Sequence, residues 1–340
     1  MTVFMKRRSF LFGSASLLSQ VVPSAWANDI SSSFDQWRDN FLGDTLGAGV
    51  SESAAKHVLK GVSFKPEVLQ KDRSQPEFNL SLNEYLADLR LGPYMEYAYE
   101  RFRALQPFLS KLRSFYGVPS SVLFGIWAQE SRFGKLVRPY NVASALATLA
   151  FDHRRSDYFA YELRCLIQMY ERGVLDIEKM TGSWAGAMGQ PQFMPSAYLD
   201  YAVDSDDDGM SDIWDSEKDT LASIANYLQR HGWRAGIPWG VEVPSDLAVL
   251  RNQFEFKQSK GCKPITYLTT TKQAQEWQSL GVPDVLEVFT DNTPLSVLRY
   301  RLGSDRTFLV SKNFETILRY NCSAHYAVTA GIIGDRITSR

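Results

Sequence analysis

The sequence predicts a mainly α protein of the α+β class, with a helical core that a small β insertion interrupts once. Amphipathic helical patterns recur from residue 28 to about residue 236. Between residues 237 and 305 the pattern changes to short β-rich stretches separated by Pro, Gly and Asp-Asn. Helical periodicity returns over residues 306–340, so we expect the C-terminal segment to close the helical core.

The first 27 residues have the features of an export signal. A basic cluster at residues 6–8 precedes an apolar run over residues 10–22, and residues 25–27 form a small-x-small cleavage site. The stretch RRSFLF is also similar to the twin-arginine signal. No later stretch has the ~18 consecutive apolar residues that a membrane helix needs. We therefore expect residues 1–27 to be removed and the mature protein to be soluble in the periplasm.

Charge and cysteine content argue against a nucleic-acid-binding protein and against a disulfide-stabilised fold. Without the signal, 34 Lys and Arg stand against 38 Asp and Glu, a net charge of −4, which argues against nucleic acid as a partner. Cys165, Cys262 and Cys322 are an odd number in an oxidising compartment, so at least one is free or pairs between chains. No disulfide framework is predicted. Cys165 lies in a helical pattern and is expected to be a core residue.

The elements follow in order along the chain. A helical N-terminal part is predicted over residues 28–115, with its clearest runs at residues 81–89 and 94–117. Further helical runs cover residues 144–173 and 219–233. In the β segment, VEVP, KPITYLT and VLEVF are expected to be strands. The last helical run covers residues 314–337.

The stretch GIWAQESRFG, residues 125–134, places the carboxylate of Glu130 on an apolar helical stripe. Pro119 suits the first turn of this helix and Gly134 its end. A carboxylate in apolar surroundings has a raised pKa and holds a proton near neutral pH, which a general acid requires. The alternative is a marginal Glu that reaches solvent or pairs with Arg132 or Lys135. The stripe residues three, four and seven positions earlier are Trp127, Ile126 and Leu123.

The stretch DSDDDGMSDIWD, residues 204–215, matches an EF-hand calcium loop with Gly209 at its sixth position. Position twelve, usually Glu, is an Asp with a shorter side chain, so Asp219 or Glu217 are alternative ligands. The opposing interpretation is a solvated acidic loop, but acids this close repel one another without a cation. We expect a structural Ca²⁺ whose ligands come from Asp204, Asp206, Asp208, Met210 (backbone carbonyl), Asp215 and Asp219.

The stretch GSWAGAMGQPQFMPSAY, residues 182–198, is rich in small residues. Its glycines allow close backbone approach, which fits tight packing between helices. It fits equally well the floor of a cleft in which Gln amides hold sugar hydroxyls and Phe193 and Met194 offer apolar faces. Spacing alone does not choose between these interpretations.

Several stretches together resemble the B-type lytic murein transglycosylases, in the same order and at similar spacing. They are GIWAQESRFG, ALATLAFDHRRSDYF, GSWAGAMGQPQFMPSAYLDYAVDSDDDG, DTLASIANYLQRHGW and ILRYNCSAHYA. The resemblance runs from about residue 80 to the C-terminus. It implies a lysozyme-like helical catalytic core at residues 116–236, a small β domain at residues 237–305 and cleavage of the MurNAc-GlcNAc bond of peptidoglycan.

Carried over by position, the resemblance implies that Glu130 is the single catalytic acid/base. This chain departs from the family at Ala128 and Gln129, where relatives often have Gly and Val, and at Cys322, which places a thiol near the cleft. Glycan strands of peptidoglycan are the implied partner, with other cell-wall enzymes as further candidates, and the chain is expected to be a monomer. The implied substrate contacts are Arg154, Arg155, Ser183, Gln192, Phe193, Met194, Tyr227, Tyr320, Asn321 and Tyr326.

A glycosidase normally uses two carboxylates, yet only Glu130 stands in suitable surroundings. Asp152 and Asp157 flank the arginine pair and are expected to be held in ion pairs. One acid suffices if the C6 hydroxyl of MurNAc attacks C1, which gives 1,6-anhydro-MurNAc without consuming water. The alternatives are a hydrolytic muramidase of the same fold and a non-catalytic peptidoglycan-binding scaffold. The sequence has no G-x-S-x-G or H-E-x-x-H motif of a serine or metal hydrolase.

Overall fold

The computed structural model describes residues 24–46, 50–74, 80–136, 138–174, 180–247, 254–299 and 306–339, with side chains from residue 32 onward. Most of the predicted export signal at residues 1–27 lies outside these ranges, and its last four residues belong to the first helix. Within the described ranges, no helix combines the length and the apolar character that crossing a membrane requires.

Helices form most of the structure, as the sequence predicts. In chain order they are α1 (Ser24–Leu46), α2 (Glu52–Lys60), α3 (Pro66–Arg73), α4 (Leu82–Asp88), α5 (Met95–Ala104), α6 (Gln106–Tyr116), α7 (Ser120–Ser131), α8 (Val142–Phe151), α9 (Ser156–Glu171), α10 (Pro195–Tyr201), α11 (Glu217–Arg230), α12 (Ala274–Ser279), α13 (Val285–Val288), α14 (Lys312–Tyr320) and α15 (Ala324–Thr338). The strands are β1 (Tyr140–Asn141), β2 (Thr181–Gly182), β3 (Gly240–Val243), β4 (Lys272–Gln273), β5 (Pro294–Leu298) and β6 (Thr307–Val310).

The chain divides into two compact units. Of the described residues, those within 80–133 and 224–339 form the first unit, and those within 24–74 and 134–223 form the second. This division groups the residues differently from the five segments that the sequence predicts, 1–27, 28–115, 116–236, 237–305 and 306–340. Those domain boundaries stay a prediction.

In the second unit, α9 packs against α2, α8 and α10, and α1 packs against α2 and α8. Aromatic side chains fill the space between α1 and α8, where the rings of Phe34 and Phe151 meet edge to face at 5.4 Å. Glu162 of α9 is 1% exposed and accepts hydrogen bonds from the backbone N–H and the hydroxyl of Ser196. This pair fixes the start of α10, so the glycine-rich stretch before it is held at its C-terminal end.

In the first unit, α15 packs against α4, α5, α7 and α14. The predicted helical run at residues 94–117 is two helices, α5 and α6, which meet at Leu105. Pro107 lies in the first turn of α6, where its missing N–H costs nothing, whereas a continuous helix would lose a hydrogen bond at that position. The run at residues 314–337 is likewise broken, because Ser323 caps the start of α15 by accepting from the N–H of Tyr326.

The β segment of the first unit forms a four-stranded antiparallel sheet in the order β3-β6-β5-β4. Trp277 is fully buried under it and donates its indole N–H to the carbonyl of Leu295. The stretch VEVP forms β3 as predicted. Strand β6 lies beyond residue 305, inside the segment for which the sequence predicts only helix.

Two of the three predicted strands are wrong, apart from isolated β-bridges at Leu268 and Thr269. KPITYLT contains a 3-10 helix at Lys263–Tyr267 with Pro264 in its first turn, where proline suits a helix start and could not donate to a strand ladder. VLEVF contains α13, whose Val285 is fully buried in the core beneath the sheet. Packing of this apolar residue overrides the strand propensity of Val.

Candidate functional site

Helix α7 carries Glu130 as its penultimate residue, half-buried at the end of an otherwise buried helix. Pro119 is the N-cap of α7 and so lies one residue before the first turn in which the sequence places it. The helix ends three residues before the predicted Gly134, because Arg132 and Phe133 have φ values of 50° and 58° in the left-handed region. The N–H of Arg132 still donates to the carbonyl of Ala128, which closes the last turn.

The position of α7 is set by its crossing with α15. A Cβ on Gly125 of α7 would lie 1.8 Å from the carbonyl oxygen of Ala330, and a Cβ on Gly334 of α15 would lie 1.8 Å from that of Ser121. Glycine at these two positions lets the backbones approach more closely than any other residue would allow. The crossing places the first turn of α15 beside the end of α7 that carries Glu130.

At this crossing the hydroxyl of Tyr326 donates a 2.7 Å hydrogen bond to Oε1 of Glu130. Burial, and secondly the charge of Glu130, raise the pKa of Tyr326 well above its usual value. Tyr326 therefore stays protonated and acts as a donor. The apolar stripe alone predicts purely apolar surroundings for Glu130. The structure adds a polar group to them, the hydroxyl of Tyr326. The alternative partner Arg132 instead donates its Nε to the carbonyl of Leu89.

Aromatic rings extend from Tyr326 through the first unit. Tyr320 stacks on Tyr326 with a ring centroid distance of 6.4 Å, and Tyr227 meets Tyr320 edge to face at 4.9 Å. The hydroxyl of Tyr227 donates to the carbonyl of Arg319. All three rings are 6% exposed or less. They support one another and the position of Tyr326 through packing.

Asn321 and Cys322 lie in the turn between α14 and α15, next to this row of rings. Asn321 is buried. Cys322 forms a disulfide with Cys262, so the prediction of a thiol at Cys322 near the cleft is wrong. The remaining cysteine, Cys165, is free and buried, as expected for a core residue. Pairing depends on the fold bringing together two residues 60 positions apart, which spacing does not reveal.

In the second unit, the glycine-rich stretch forms tight turns. The hydroxyl oxygen of Ser183 accepts from the N–H groups of Ala185 and Ala187. Gln192 has a positive φ of 52°, donates its amide to the carbonyl of Gly189, and has an amide oxygen that is buried without a hydrogen-bond partner among the described residues. Phe193 is fully buried and Met194 is 5% exposed. Both interpretations of this stretch therefore have support: its side chains are packed, and one buried acceptor is left over.

Arg154 and Arg155 share one partner in the second unit, the buried carboxylate of Asp72. Arg154 also donates to the backbone carbonyl of Asp72 at 3.1 Å. The arginine side chains are 48% and 30% exposed, so part of each side chain stays accessible. Asp152 is held in an ion pair as expected, with Arg73 at 3.3 Å, whereas Asp157 has no ion pair among the described residues.

The acidic loop of the second unit gathers three carboxylates, those of Asp204, Asp206 and Asp219, with ligand oxygens within 4.8 Å of one another. Asp219 is fully buried and accepts from both the N–H and the hydroxyl of Ser205. Desolvation, and then the charges of Asp219 and Asp208, raise the pKa of Asp206. Asp215 is not part of this group of three. Its N–H donates to the carboxylate of Asp212.

Two residues that the sequence did not predict as site residues contact predicted ones. Asp72 holds the arginine pair, and nothing in its local sequence signals this role. Gln129 hydrogen-bonds to Tyr326, and an amide in a run of apolar helix residues is the sequence feature that could have identified it.

The predicted site residues fall into two sets. The first unit holds Glu130, Tyr227, Tyr320, Asn321 and Tyr326, and the second holds Arg154, Arg155, Ser183, Gln192, Phe193, Met194 and the acidic loop with Asp204, Asp206, Asp208, Met210, Asp215 and Asp219.

Known proteins match both the sequence and the fold. Membrane-bound lytic murein transglycosylase B of Escherichia coli K12 is 35% identical over 231 residues, which are 67% of this chain and 60% of that protein. SltB3 of Pseudomonas aeruginosa, solved in complex with NAG-NAM-pentapeptide and with NAG-anhNAM-pentapeptide, is 34% and 33% identical with a TM-score of 0.75 in each case. These matches cover 90% of this chain and 80% and 79% of the SltB3 chains.

The lytic transglycosylase Slt35 of Escherichia coli, solved in complex with calcium, is 27% identical with a TM-score of 0.71, over 89% of this chain and 92% of the other. A family model described as the transglycosylase SLT domain matches residues 33–335, nearly the whole described chain and both units. The chain belongs to the transglycosylase SLT-domain family.

Proposed function

We propose that this protein is a lytic transglycosylase that cleaves the β-1,4 bond between MurNAc and GlcNAc in peptidoglycan and leaves 1,6-anhydro-MurNAc ends. The observation that carries the proposal is the pairing of a half-buried Glu130 with the buried hydroxyl of Tyr326 at 2.7 Å. A carboxyl group held in one orientation at a helix end suits proton transfer to a bound substrate. The complexes of SltB3 with NAG-NAM-pentapeptide and NAG-anhNAM-pentapeptide support the substrate class.

In the proposed reaction Glu130 acts first as acid and then as base. It protonates the glycosidic oxygen as the bond from that oxygen to C1 of MurNAc breaks, and the N-acetyl group stabilises the cationic centre. Glu130 then takes the proton of the C6 hydroxyl while O6 bonds to C1. The proton count balances without a water molecule. Tyr326 fixes the carboxyl group through its donated hydrogen bond and, with its raised pKa, does not compete as an acid.

The further proposed substrate contacts are assigned because their positions match the family pattern. In the first unit these are Tyr227, Tyr320 and Asn321. In the second unit Gln192, whose buried amide oxygen has no hydrogen-bond partner among the described residues, is assigned by position, and the partly exposed side chains of Arg154 and Arg155 suit anionic groups of the substrate. The remaining assigned contacts are Ser183, Phe193 and Met194.

The acidic loop is proposed to hold a structural Ca²⁺. Oxygen ligands from closely spaced carboxylates suit calcium, and Gly209, at the sixth position, has the positive φ of 93° that such a loop requires there. Asp204, Asp206 and Asp219 are the core of the proposed ligand set, joined by Asp208 and the carbonyl of Met210. The ion would neutralise the loop and stabilise the fold, without a part in the chemistry. Export to the periplasm through residues 1–27 is proposed on the sequence features alone.

Mass spectrometry of products from purified peptidoglycan sacculi tests the proposed reaction. Muropeptides from the active protein should be lighter by one water than lysozyme products, the mark of the anhydro ring. Glu130→Gln should lower the rate by ~10²–10⁴-fold, the usual contribution of general acid-base catalysis. Glu67→Gln removes an exposed carboxylate from α3 and serves as the matched control with parental activity.

The outcomes separate the rival functions. Fully hydrated products would identify a hydrolytic muramidase and reject the anhydro mechanism. Binding to sacculi without release of muropeptides from the parent protein would identify a scaffold. Parental activity in Glu130→Gln would assign the chemistry to another residue.

A further inference from the structure

We propose that Gln129 is a positioning residue for the catalytic pair: its side-chain amide holds the backbone of Tyr326 against α7 and thereby fixes the hydroxyl that donates to Glu130. The inference rests on the proposed function of Glu130 and deepens it. Gln129 directly precedes Glu130 in α7, at one of the positions where this chain departs from the family pattern.

Gln129 is 6% exposed, so its amide is taken out of water. Its Nε2 donates to the backbone carbonyl of Tyr326 at 3.1 Å and lies 3.5 Å from the carbonyl of Gly125. Its Oε1 is buried without a hydrogen-bond partner among the described residues. A buried acceptor without a partner destabilises a fold, and an apolar side chain of similar volume would avoid that cost. Packing alone therefore does not explain an amide at this position.

The hydrogen bonds around Tyr326 form a closed ring across the two helices. Gln129 holds the carbonyl of Tyr326, the side chain of Tyr326 returns to α7 through its hydroxyl, and Glu130 receives that hydroxyl one residue after Gln129. The N–H of Tyr326 donates to Ser323, so both backbone polar groups of Tyr326 are engaged by side chains. The ring of Tyr326 is further fixed by parallel stacking on Tyr320.

This arrangement predicts which kinetic constant depends on Gln129. The side chain is buried behind Tyr326, so it does not contact substrate, and its loss should leave KM unchanged. A looser Tyr326 holds the carboxyl group of Glu130 less well during proton transfer, and kcat should fall. Because Gln129 acts through the hydroxyl of Tyr326, its effect should disappear when that hydroxyl is absent.

The test measures kcat and KM for Gln129→Met, Tyr326→Phe and the double variant on soluble, uncrosslinked glycan strands. Methionine keeps the volume and removes both polar atoms. We expect Gln129→Met to lower kcat by about 3- to 10-fold, the equivalent of one net hydrogen bond, with KM within twofold of the parent. In the Tyr326→Phe background, Gln129→Met should cause no further loss of kcat.

The matched control is Gln229→Met in the same unit, which removes an amide that donates to the carbonyl of Phe115 at 3.1 Å and should keep parental kinetics. Circular dichroism confirms that each variant is folded at the assay temperature, and Gln129→Leu replaces Gln129→Met if the latter unfolds. Parental kcat in a folded Gln129 variant, a change confined to KM, or losses that multiply in the double variant would overturn the inference. Inactivity of the parent, by contrast, would reject the proposed function itself.

Discussion

The hydroxyl of Tyr326 and the carboxylate of Glu130, 196 positions apart in the sequence, are joined by a 2.7 Å hydrogen bond. The bond exists because two glycines let α7 and α15 cross closely enough for the end of one helix to meet the start of the other. A hydrogen bond to a carboxyl group becomes stronger as that group becomes charged, so this donor favours the proposed step in which Glu130 gives up its proton. The half-buried acid is therefore held by a specific partner rather than only by apolar neighbours.

Removal of this donor gives the first prediction. Tyr326→Phe should lower kcat by about 10- to 100-fold, because hydrogen bonds to charged groups contribute roughly 1.5–3 kcal/mol. The measurement is the initial rate of muropeptide release. Tyr198→Phe, which removes a buried hydroxyl that donates to the carbonyl of Ser211, should remain fully active. Equal activity of the two variants would mean that Tyr326 does not act on Glu130.

The helix crossing predicts a large effect of a single methyl group. Gly125→Ala should lower the free energy of unfolding by about 3 kcal/mol or more, since the added Cβ would lie 1.8 Å from the carbonyl oxygen of Ala330 and force the helices apart. Gly43→Ala, in α1 with no heavy atom within 4 Å of the added Cβ, should instead raise it by about 0.5–1 kcal/mol. Urea unfolding of both variants measures the difference, and a mild effect at Gly125 would contradict the close crossing.

The acidic loop predicts calcium-dependent stability. Ca²⁺ at a hundred times its Kd should stabilise the fold by ~2.7 kcal/mol and raise Tm. Asp206→Asn should abolish the shift, because Asp206 is one of the three grouped carboxylates. Asp215→Asn removes the same charge outside that group and should keep most of the shift. If Asp215→Asn abolishes the shift as Asp206→Asn does, Asp215 is a ligand at position twelve of the loop. If Asp206→Asn keeps the shift, the proposed ligand set is wrong.

The disulfide between Cys262 and Cys322 predicts a stability that depends on oxidation. It closes a loop across 60 positions, which corresponds to about 4 kcal/mol in the chain-entropy model. The double variant Cys262→Ser, Cys322→Ser should therefore melt at a lower temperature, and reductant should lower Tm of the parent but not of the variant. Thiol titration of the unfolded parent without reductant should find one thiol per chain. Three thiols would show that the disulfide does not form.

We predict that the thiol of Cys165 does not react with alkylating reagents in the folded protein. Burial is the main cause that raises the pKa of its thiol to about 11, and the nearby carboxylate of Glu162 adds to the shift. At about pH 7.5 fewer than roughly one molecule in a thousand would carry the reactive thiolate. Iodoacetamide should therefore leave the native protein unmodified and label it once after unfolding. Rapid labelling of the native protein would show that this thiol is accessible.

Local patterns predicted the helical elements well because their determinants are local. Helix α11 ends at Arg230, just before Gly232 with its positive φ of 92°, and Pro119 directly precedes α7. The same rules failed for KPITYLT and VLEVF, where the burial of Val285 and the place of Pro264 decided the conformation. Short apolar stretches carry too little information to separate a strand from a single helical turn.

For the candidate site, the sequence by itself identified Glu130 as an acid among apolar neighbours and identified the acidic loop, since both signals lie within a dozen residues. Only the tertiary structure decided their partners. It paired Glu130 with Tyr326, joined Asp219 to Asp204 and Asp206, placed Asp72 against the arginine pair and brought Cys262 to Cys322. The physical reason is that spacing along the chain fixes which face of a helix a side chain occupies, whereas the partner it meets depends on how closely distant backbones can pack.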